Sequence, residues 1–336
     1  MSGNITLKEL ASILNVSVST ISKALNDSHE ISESTKKRIK ELAALHNYQP
    51  NKIALGLKSG KTNTIGVILP SIKNNFFARV LFGIEKYITQ TKYNIVVCIT
   101  NESLEKEVNN MKILANGVVD GFIIAVSEET QVQQSFDHFK AILGNNKPIV
   151  MFDRVVDSVA CDKVKINDYE AVYAATEKLL QSGRKHIVIV SAIHNLSVGI
   201  LRAQGGFDAI KKRFGTTNPD YLLKSSITSV REDLIHFINS NTVDAIIALD
   251  EDSSFAALKA CKTNNKSVPK DIAIVGYCSE RVADNLNPEL TTINQHGTRT
   301  GETAAGLLVK KLNTKPLDNS IEEVIISSTL SHRNTF

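Results

Sequence analysis

The chain has 336 residues, 42% hydrophobic and 22% charged, which is enough apolar material for two or three domains with real cores and too much for a disordered polymer. No apolar run approaches the roughly 20 residues that span a bilayer, the start Met1-Ser2-Gly3-Asn4 lacks a secretory leader, and Cys98, Cys161, Cys261 and Cys278 lie far apart, without zinc or disulfide-scaffold spacing. Of 39 Lys/Arg and 35 Asp/Glu, nine and five fall in residues 1–61, so the whole net charge of +4 sits in a short N-terminal unit. Such a distribution suits a segment that meets a polyanion. The expectation is a cytoplasmic globular protein with no membrane segment, no metal and no cofactor.

Three short helices are expected in the first fifty residues. Thr6-Leu7-Lys8-Glu9 has capping-box spacing, and Leu7, Leu10, Ala11 and Leu14 follow at helical period. Asn15-Val16-Ser17 interrupts the pattern, and Ser17 can cap a second helix carrying Ile21 and Leu25. Ser32 is placed to cap a third helix with Ile39, Leu42 and Leu45, which ends at Tyr48 and Pro50. Two helices joined by a tight turn and braced by a third make a helix-turn-helix pattern.

From Thr64 onward, short β-branched runs alternate with amphipathic stretches. The runs are Ile65–Leu69, Ile95–Ile99, Gly121–Ala125 and Pro148–Phe152, separated by helical patterns that include Phe76–Thr91, Leu104–Asn116 and Val132–Leu143. A second set begins at Val164–Ile166 and continues through Ile187–Val190, Ala245–Leu249 and Ile272–Gly276. Such alternation predicts parallel sheets covered on both faces, here in two similar lobes with a ligand site beyond the strands' carboxyl ends.

The second helix carries the sharpest chemical signal. Val18, Ser19, Ser22, Lys23 and Asn26 share one face, while Ile21 and Leu25 point to the core. Short polar side chains beside one long cation let a helix enter the major groove and touch base edges. Two other motifs carry nothing. Gly56-Leu57-Lys58-Ser59-Gly60-Lys61-Thr62 is one residue short of a phosphate-binding loop and precedes a strand instead of following one. Ser182-Gly183-Arg184-Lys185 has SxxK spacing without partner motifs. No catalytic base and nucleophile assemble, so an enzyme is not expected.

The segments Thr6–Ala11, Asn15–Asn26 and Leu45–Asn51 resemble the DNA-binding domain of the lactose-repressor (LacI/GalR) family, and the remainder resembles that family's two-lobed, type I periplasmic-binding-protein-like α/β core. The resemblance implies a helix-turn-helix domain at 1–50, a hinge helix and linker at 51–61, and an effector-binding and dimerisation core at 62–336. Lobe 1 would take about 62–160 plus 294–320, and lobe 2 about 161–293 plus 321–336. The implied DNA-contacting set is Thr6, Ser17, Val18, Ser19, Thr20, Ser22, Lys23 and Asn26, joined by Asn51, Ala54 and Leu57 of the hinge. Val18 and Ser19 would be the main base readers. Lys23 stands where many members carry Arg and lacks its rigid bidentate fork. Eight residues, Asn51–Lys58, are too few for a stable isolated helix, so the hinge would order on DNA with Leu57 as a minor-groove wedge.

In the core, the resemblance points to Asn75, Phe76, Phe77, Asp153, Arg154, Arg202, Asp250, Glu251, Cys278 and Gln295 as effector contacts. Arg202 lies three residues before Gly205, at the expected start of a helix, and a cleft Arg needs an acceptor, which points to a polyhydroxyl or anionic ligand. Cys278 stands where the family commonly has Asp, and a thiol is a poor acceptor. Asp250-Glu251 replaces the family's Asn-Asp. The expected function is a homodimeric transcriptional regulator, a repressor, on near-palindromic double-stranded operator DNA, modulated by a sugar, sugar derivative or nucleobase-like molecule. The alternatives are control by a partner protein or by no ligand, and, more distantly, a solute-binding protein.

Overall fold

The computed structural model describes residues 5–46, 48, 61–218, 221–314 and 320–336. The chain forms two compact units, Met1–Thr62 and Asn63–Phe336. The hinge positions Asn51, Ala54 and Leu57 lie outside the described residues.

In the first unit, α1 (Leu7–Leu14), α2 (Val18–Leu25) and α3 (Glu33–Leu45) each start on a hydroxyl cap. Thr6 accepts from the Glu9 amide while the Glu9 carboxylate accepts from the Thr6 amide, which completes the capping box. Asn15 ends α1 in the left-handed region at φ 54°, where Asn is among the residues best tolerated. The core is small: Leu10, Ala11, Ile21, Ala24, Ile39 and Ala43 are buried together.

The second unit begins with β1 (Thr64–Leu69), α4 (Asn75–Ile88), β2 (Asn94–Ile99), α5 (Leu104–Ala115), β3 (Gly121–Ile124), α6 (Glu128–Val132), α7 (Asp137–Gly144), β4 (Ile149–Phe152) and β5 (Asp162–Ile166). It continues with α8 (Asp168–Gln181), β6 (Ile187–Ser191), α9 (Ser197–Phe214), β7 (Leu222–Lys224), α10 (Val230–Ser240), β8 (Ala245–Ala248), α11 (Glu251–Thr263), β9 (Ala273–Gly276), α12 (Glu280–Ala283), β10 (Thr291–Asn294), α13 (Gly297–Asn313), β11 (Glu323–Ile326) and β12 (Thr329–Ser331). Two six-stranded sheets result, in the orders β11-β5-β4-β3-β1-β2 and β12-β10-β9-β8-β6-β7. All pairings are parallel except β10 with β12.

Strand periodicity sorts the side chains to opposite faces. Ile65, Val67 and Leu69 of β1 join α4 and α13 in one core, while Ile68 joins α5 and α7 in the other. The second sheet repeats the arrangement, with α10 and α11 on one face and α8 on the other.

The lobe boundaries differ from the sequence expectation. Asp162–Ile166 pairs with β4 and with β11, so both β5 and β11 belong to the first sheet. The chain crosses between lobes after Ile166, after Asn294 and after Ile326, not at 160 and 320. Periodicity identifies a buried strand but not which sheet claims it; that depends on non-local pairings such as Phe152 with Val164. The stretch 132–143 is also not one helix. It breaks between α6 and α7, where Gln134 takes φ 52°.

Candidate functional site

On the helix-turn-helix unit, the polar face of α2 is at the surface. Val18 is 40% exposed, Ser19, Lys23 and Asn26 are exposed, and Thr20 and Ser22 are half-buried. Several of these groups already have local partners. Thr6 and Ser17 are N-caps, and the Ser17 hydroxyl accepts the Thr20 amide at 3.0 Å. The Asn26 amide donates to the Ser22 carbonyl at 2.8 Å. Lys23 pairs with Glu30, and Lys40 with Asp27 at 2.5 Å. Exposed pairs of this kind are worth little and exchange readily for a phosphate or a base. Lys8, Lys37 and Arg38 add exposed positive charge.

In the second unit, all ten core positions expected from the sequence line one cavity between the lobes, with about 70 Å³ of free space. One water takes roughly 10–15 Å³ by the same measure, so the space suits a small polar molecule. Most wall residues follow the carboxyl end of a strand, the place where parallel α/β sheets collect ligand groups. Asn75, Phe76 and Phe77 open α4, where Asn74 caps the helix by accepting the Phe76 amide. Phe77 is 3% exposed and packs edge-on to Phe152 in the core, whereas Phe76 stays half-buried at the cavity.

Asp153 follows β4 in the left-handed region at φ 57°, an uncommon conformation for a residue with a side chain. Its carboxylate is 93% buried and Oδ1 has no hydrogen-bond partner. Burial, then the Asp168 charge, pushes its carboxyl up to about 6. Arg154 instead turns to Glu102, donating to both carboxylate oxygens at 2.8 and 2.6 Å, and covers the Phe77 ring.

Arg202 lies in the second turn of α9, which starts at Ser197 rather than near Arg202 as expected. It donates to Asp168 Oδ1 at 2.6 Å and to the Leu249 carbonyl at 2.7 Å, and its guanidinium lies 4.1 Å from the Tyr277 ring centre. Burial alone would weaken the guanidinium's hold on its proton; the Asp168 carboxylate reverses this and keeps Arg202 charged. The protein therefore supplies acceptors for Arg202, so this arginine alone no longer points to a polyhydroxyl or anionic ligand. A Cβ on Gly205 would stand 2.2 Å from the Tyr169 carbonyl oxygen, so glycine here lets α9 approach α8 and bring Arg202 onto Asp168.

Asp250 caps α11 and accepts from the Ser253 amide, the Ala192 amide and the Ser253 hydroxyl at 2.7–2.8 Å. Glu251 reaches across to Asn75, accepting from its side-chain amide at 2.7 Å. Gln131 and Ser197 make a second cross-lobe contact at 3.1 Å, so the lobes are closed on each other at two points. Cys278 is half-buried, and burial pushes its thiol up to about 12, so it presents no charge. Gln295 lines the cavity from the β10–α13 crossover.

The sequence reading missed Tyr277 and Asp168. The Tyr277 hydroxyl is buried without a partner on the cavity wall, and Asp168 is the counter-charge behind Arg202. An acidic residue two positions after the Val164–Ile166 run was the available signal for Asp168. Among the described residues no cluster of His, Cys, Asp and Glu could hold a metal ion. Nor is any helix among them long and apolar enough to cross a membrane.

Residues 62–334 match the family described as periplasmic binding proteins and sugar binding domain of LacI family, and residues 6–51 match bacterial regulatory proteins, lacI family. The chain belongs to the LacI family. It is thus a transcriptional regulator with a helix-turn-helix DNA-binding domain and a ligand-binding core, not an enzyme. The HTH-type transcriptional repressor PurR of Aliivibrio fischeri is 29% identical, covering 98% of this chain and 99% of that protein. The HTH-type transcriptional regulator RegA of Clostridium saccharobutylicum is 30% identical, covering 93% and 94%. In fold, the chain is similar to the lac repressor dimer bound to operator and the anti-inducer ONPF, with a TM-score of 0.85 at 20% identity and 99% of each chain covered. It is also similar to a transcriptional regulator CelR–cellobiose complex, with a TM-score of 0.72 at 21% identity, 99% of this chain and 100% of that chain covered.

Proposed function

We propose that this LacI-family regulator acts in the cytoplasm as a homodimeric repressor on a near-palindromic operator, and that a small molecule in the interlobe cleft sets its operator affinity. In this reading Val18, Ser19 and Lys23 meet base edges. Ser22 and Asn26 share that face, Thr6, Ser17 and Thr20 position the helix against the backbone, and Asn51, Ala54 and Leu57 of a 51–61 hinge also contact the DNA, Ala54 and Leu57 in the minor groove. A two-fold dimer would place two α2 helices one turn of DNA apart. The observation that carries the effector half is the pair of buried, unpartnered polar atoms, Asp153 Oδ1 and the Tyr277 hydroxyl, on the wall of one cavity. Buried polar groups left unpaired cost about 1–3 kcal/mol each, and a ligand that satisfies them would favour one lobe arrangement over another.

Selection from a pool of randomised duplexes with the full-length protein tests the DNA half; a near-palindromic consensus is expected, and unselective retention of duplexes would contradict it. Titrating the selected complex with sugars, amino sugars, sugar phosphates and nucleobases tests the other half. A change in duplex affinity is expected with at least one class, and identical affinity with all of them favours control by a partner protein or by no ligand.

A further inference from the structure

We infer that the cleft ligand is a cation: a small, hydroxyl-bearing molecule that carries an amine held by Asp153. The inference rests on the cleft being the effector site. The charges around the cavity do not balance. Arg154 is neutralised by Glu102 and Arg202 by Asp168. Asp153, Asp250 and Glu251 also line the cavity, and Arg79, exposed, is the remaining cation on its wall. Cys278 adds nothing, because burial keeps its thiol protonated.

The three carboxylates outside those pairs are not equivalent. Asp250 spends its oxygens on the α11 cap and the Ala192 amide, and Glu251 accepts from Asn75. Of the three, Asp153 alone leaves a buried oxygen without a donor, in a residue that is 93% buried. Its neighbours are the carboxylates of Asp168 and Glu102 and the guanidiniums of Arg202 and Arg154, and both guanidiniums already hold those same carboxylates. The Tyr277 hydroxyl, on the same wall and within the field of Asp153, is a second buried group without a partner, able to donate to a ligand hydroxyl or to accept from one.

A neutral hydroxyl could donate to Asp153 Oδ1 but would leave its charge buried and uncompensated. A phosphate or carboxylate would add negative charge to a cavity that already has an excess. An ammonium supplies both the missing hydrogen bond and the missing positive charge. Phe76, half-buried at the cavity, offers an aromatic face that attracts cations as well as apolar ring faces.

The test separates soluble metabolites of a bacterial lysate by ion exchange into cationic, neutral and anionic pools. Each is applied at pH 7 to the full-length protein, with thermal melting and affinity for the selected duplex as readouts. D-glucosamine and D-galactosamine are run beside D-glucose, D-galactose and glucose 6-phosphate as defined probes. The cationic pool is expected to raise the melting temperature and shift duplex affinity, and Asp153→Asn to weaken that response at least tenfold. Activity confined to the neutral or anionic pool overturns the amine assignment while leaving the cleft as effector site. No response from any pool removes the cleft reading and this inference with it. Tyr277→Phe is a second variant, expected to weaken the response of the cationic pool less than Asp153→Asn does; an unchanged response in both variants also overturns the assignment.

Discussion

On α2 the polar side chains stand in solvent, tied by exposed caps and ion pairs that a DNA duplex can replace one by one. In the cleft the polar groups are buried, and their charges are set against one another: Arg202 on Asp168, Arg154 on Glu102, and Asp153 with an oxygen left over. In the proposed function the first surface exchanges water and neighbours for phosphates and bases, and the unsatisfied groups of the second select the ligand. A substitution on α2 should therefore change affinity or specificity with little effect on stability, whereas one in the cleft should change stability and ligand response together.

The largest effect is expected from Arg202→Ala. Removing the guanidinium leaves Asp168 buried, charged and unpaired, close to Asp153, and breaking a buried pair in this way costs about 3–5 kcal/mol. Denaturant unfolding of the second unit should show that loss, which makes this residue a structural support of the cleft. A variant as stable as the wild type would mean that Asp168 is relieved by water.

Asp153→Asn should act in the opposite direction. Its carboxyl is raised from 3.8 to about 6 in the folded protein, so the native state binds the proton more tightly than the unfolded chain. That contribution to stability is present below about pH 4 and is lost as pH rises through about 6. Two pKa units correspond to about 3 kcal/mol, and Asn tolerates the left-handed backbone. Thermal melts should show the variant more stable than wild type at pH 7.5, with the gain shrinking towards pH 4. A pH-independent difference would remove the buried-charge explanation.

Lys23→Ala should reduce discrimination between the selected duplex and random DNA by about 1–3 kcal/mol, while Lys37→Ala should weaken both equally. Equal weakening of selected and random duplex by Lys23→Ala would reduce Lys23 to a phosphate contact. Smallest of all, Ser17→Ala removes the α2 cap, with a cost of about 1 kcal/mol. Amide exchange across Val18–Leu25 should speed up accordingly, and unchanged exchange would show that the Ser17 hydroxyl is not holding the helix start.

The contrast also explains what could be read from the sequence. The helix-turn-helix unit was legible because its determinants are local: Thr6, Ser17 and Ser32 each cap a helix three residues from their partner amide. The membership of β5 and β11 was not, since the sheet that takes 162–166 is decided only when it pairs with 149–152 and, across more than 150 residues, with the largely exposed edge strand 323–326. The cleft positions were legible by resemblance, but their bonding was not. Nothing near Arg202 in the sequence announces Asp168, and nothing near Glu251 announces Asn75, because both pairings depend on how strands and lobes come together. For the same reason the ligand's charge class could not be read from an arginine alone.

In the proposed function cleft and operator are coupled through one free energy, and such coupling must be reciprocal. The decisive measurement is calorimetric titration of the active pool's purified component into the full-length protein, with and without saturating selected duplex. The account predicts ligand dissociation constants that differ by about 5–150-fold, the same factor by which saturating ligand changes duplex affinity. Equal ligand affinity in the two titrations would contradict it.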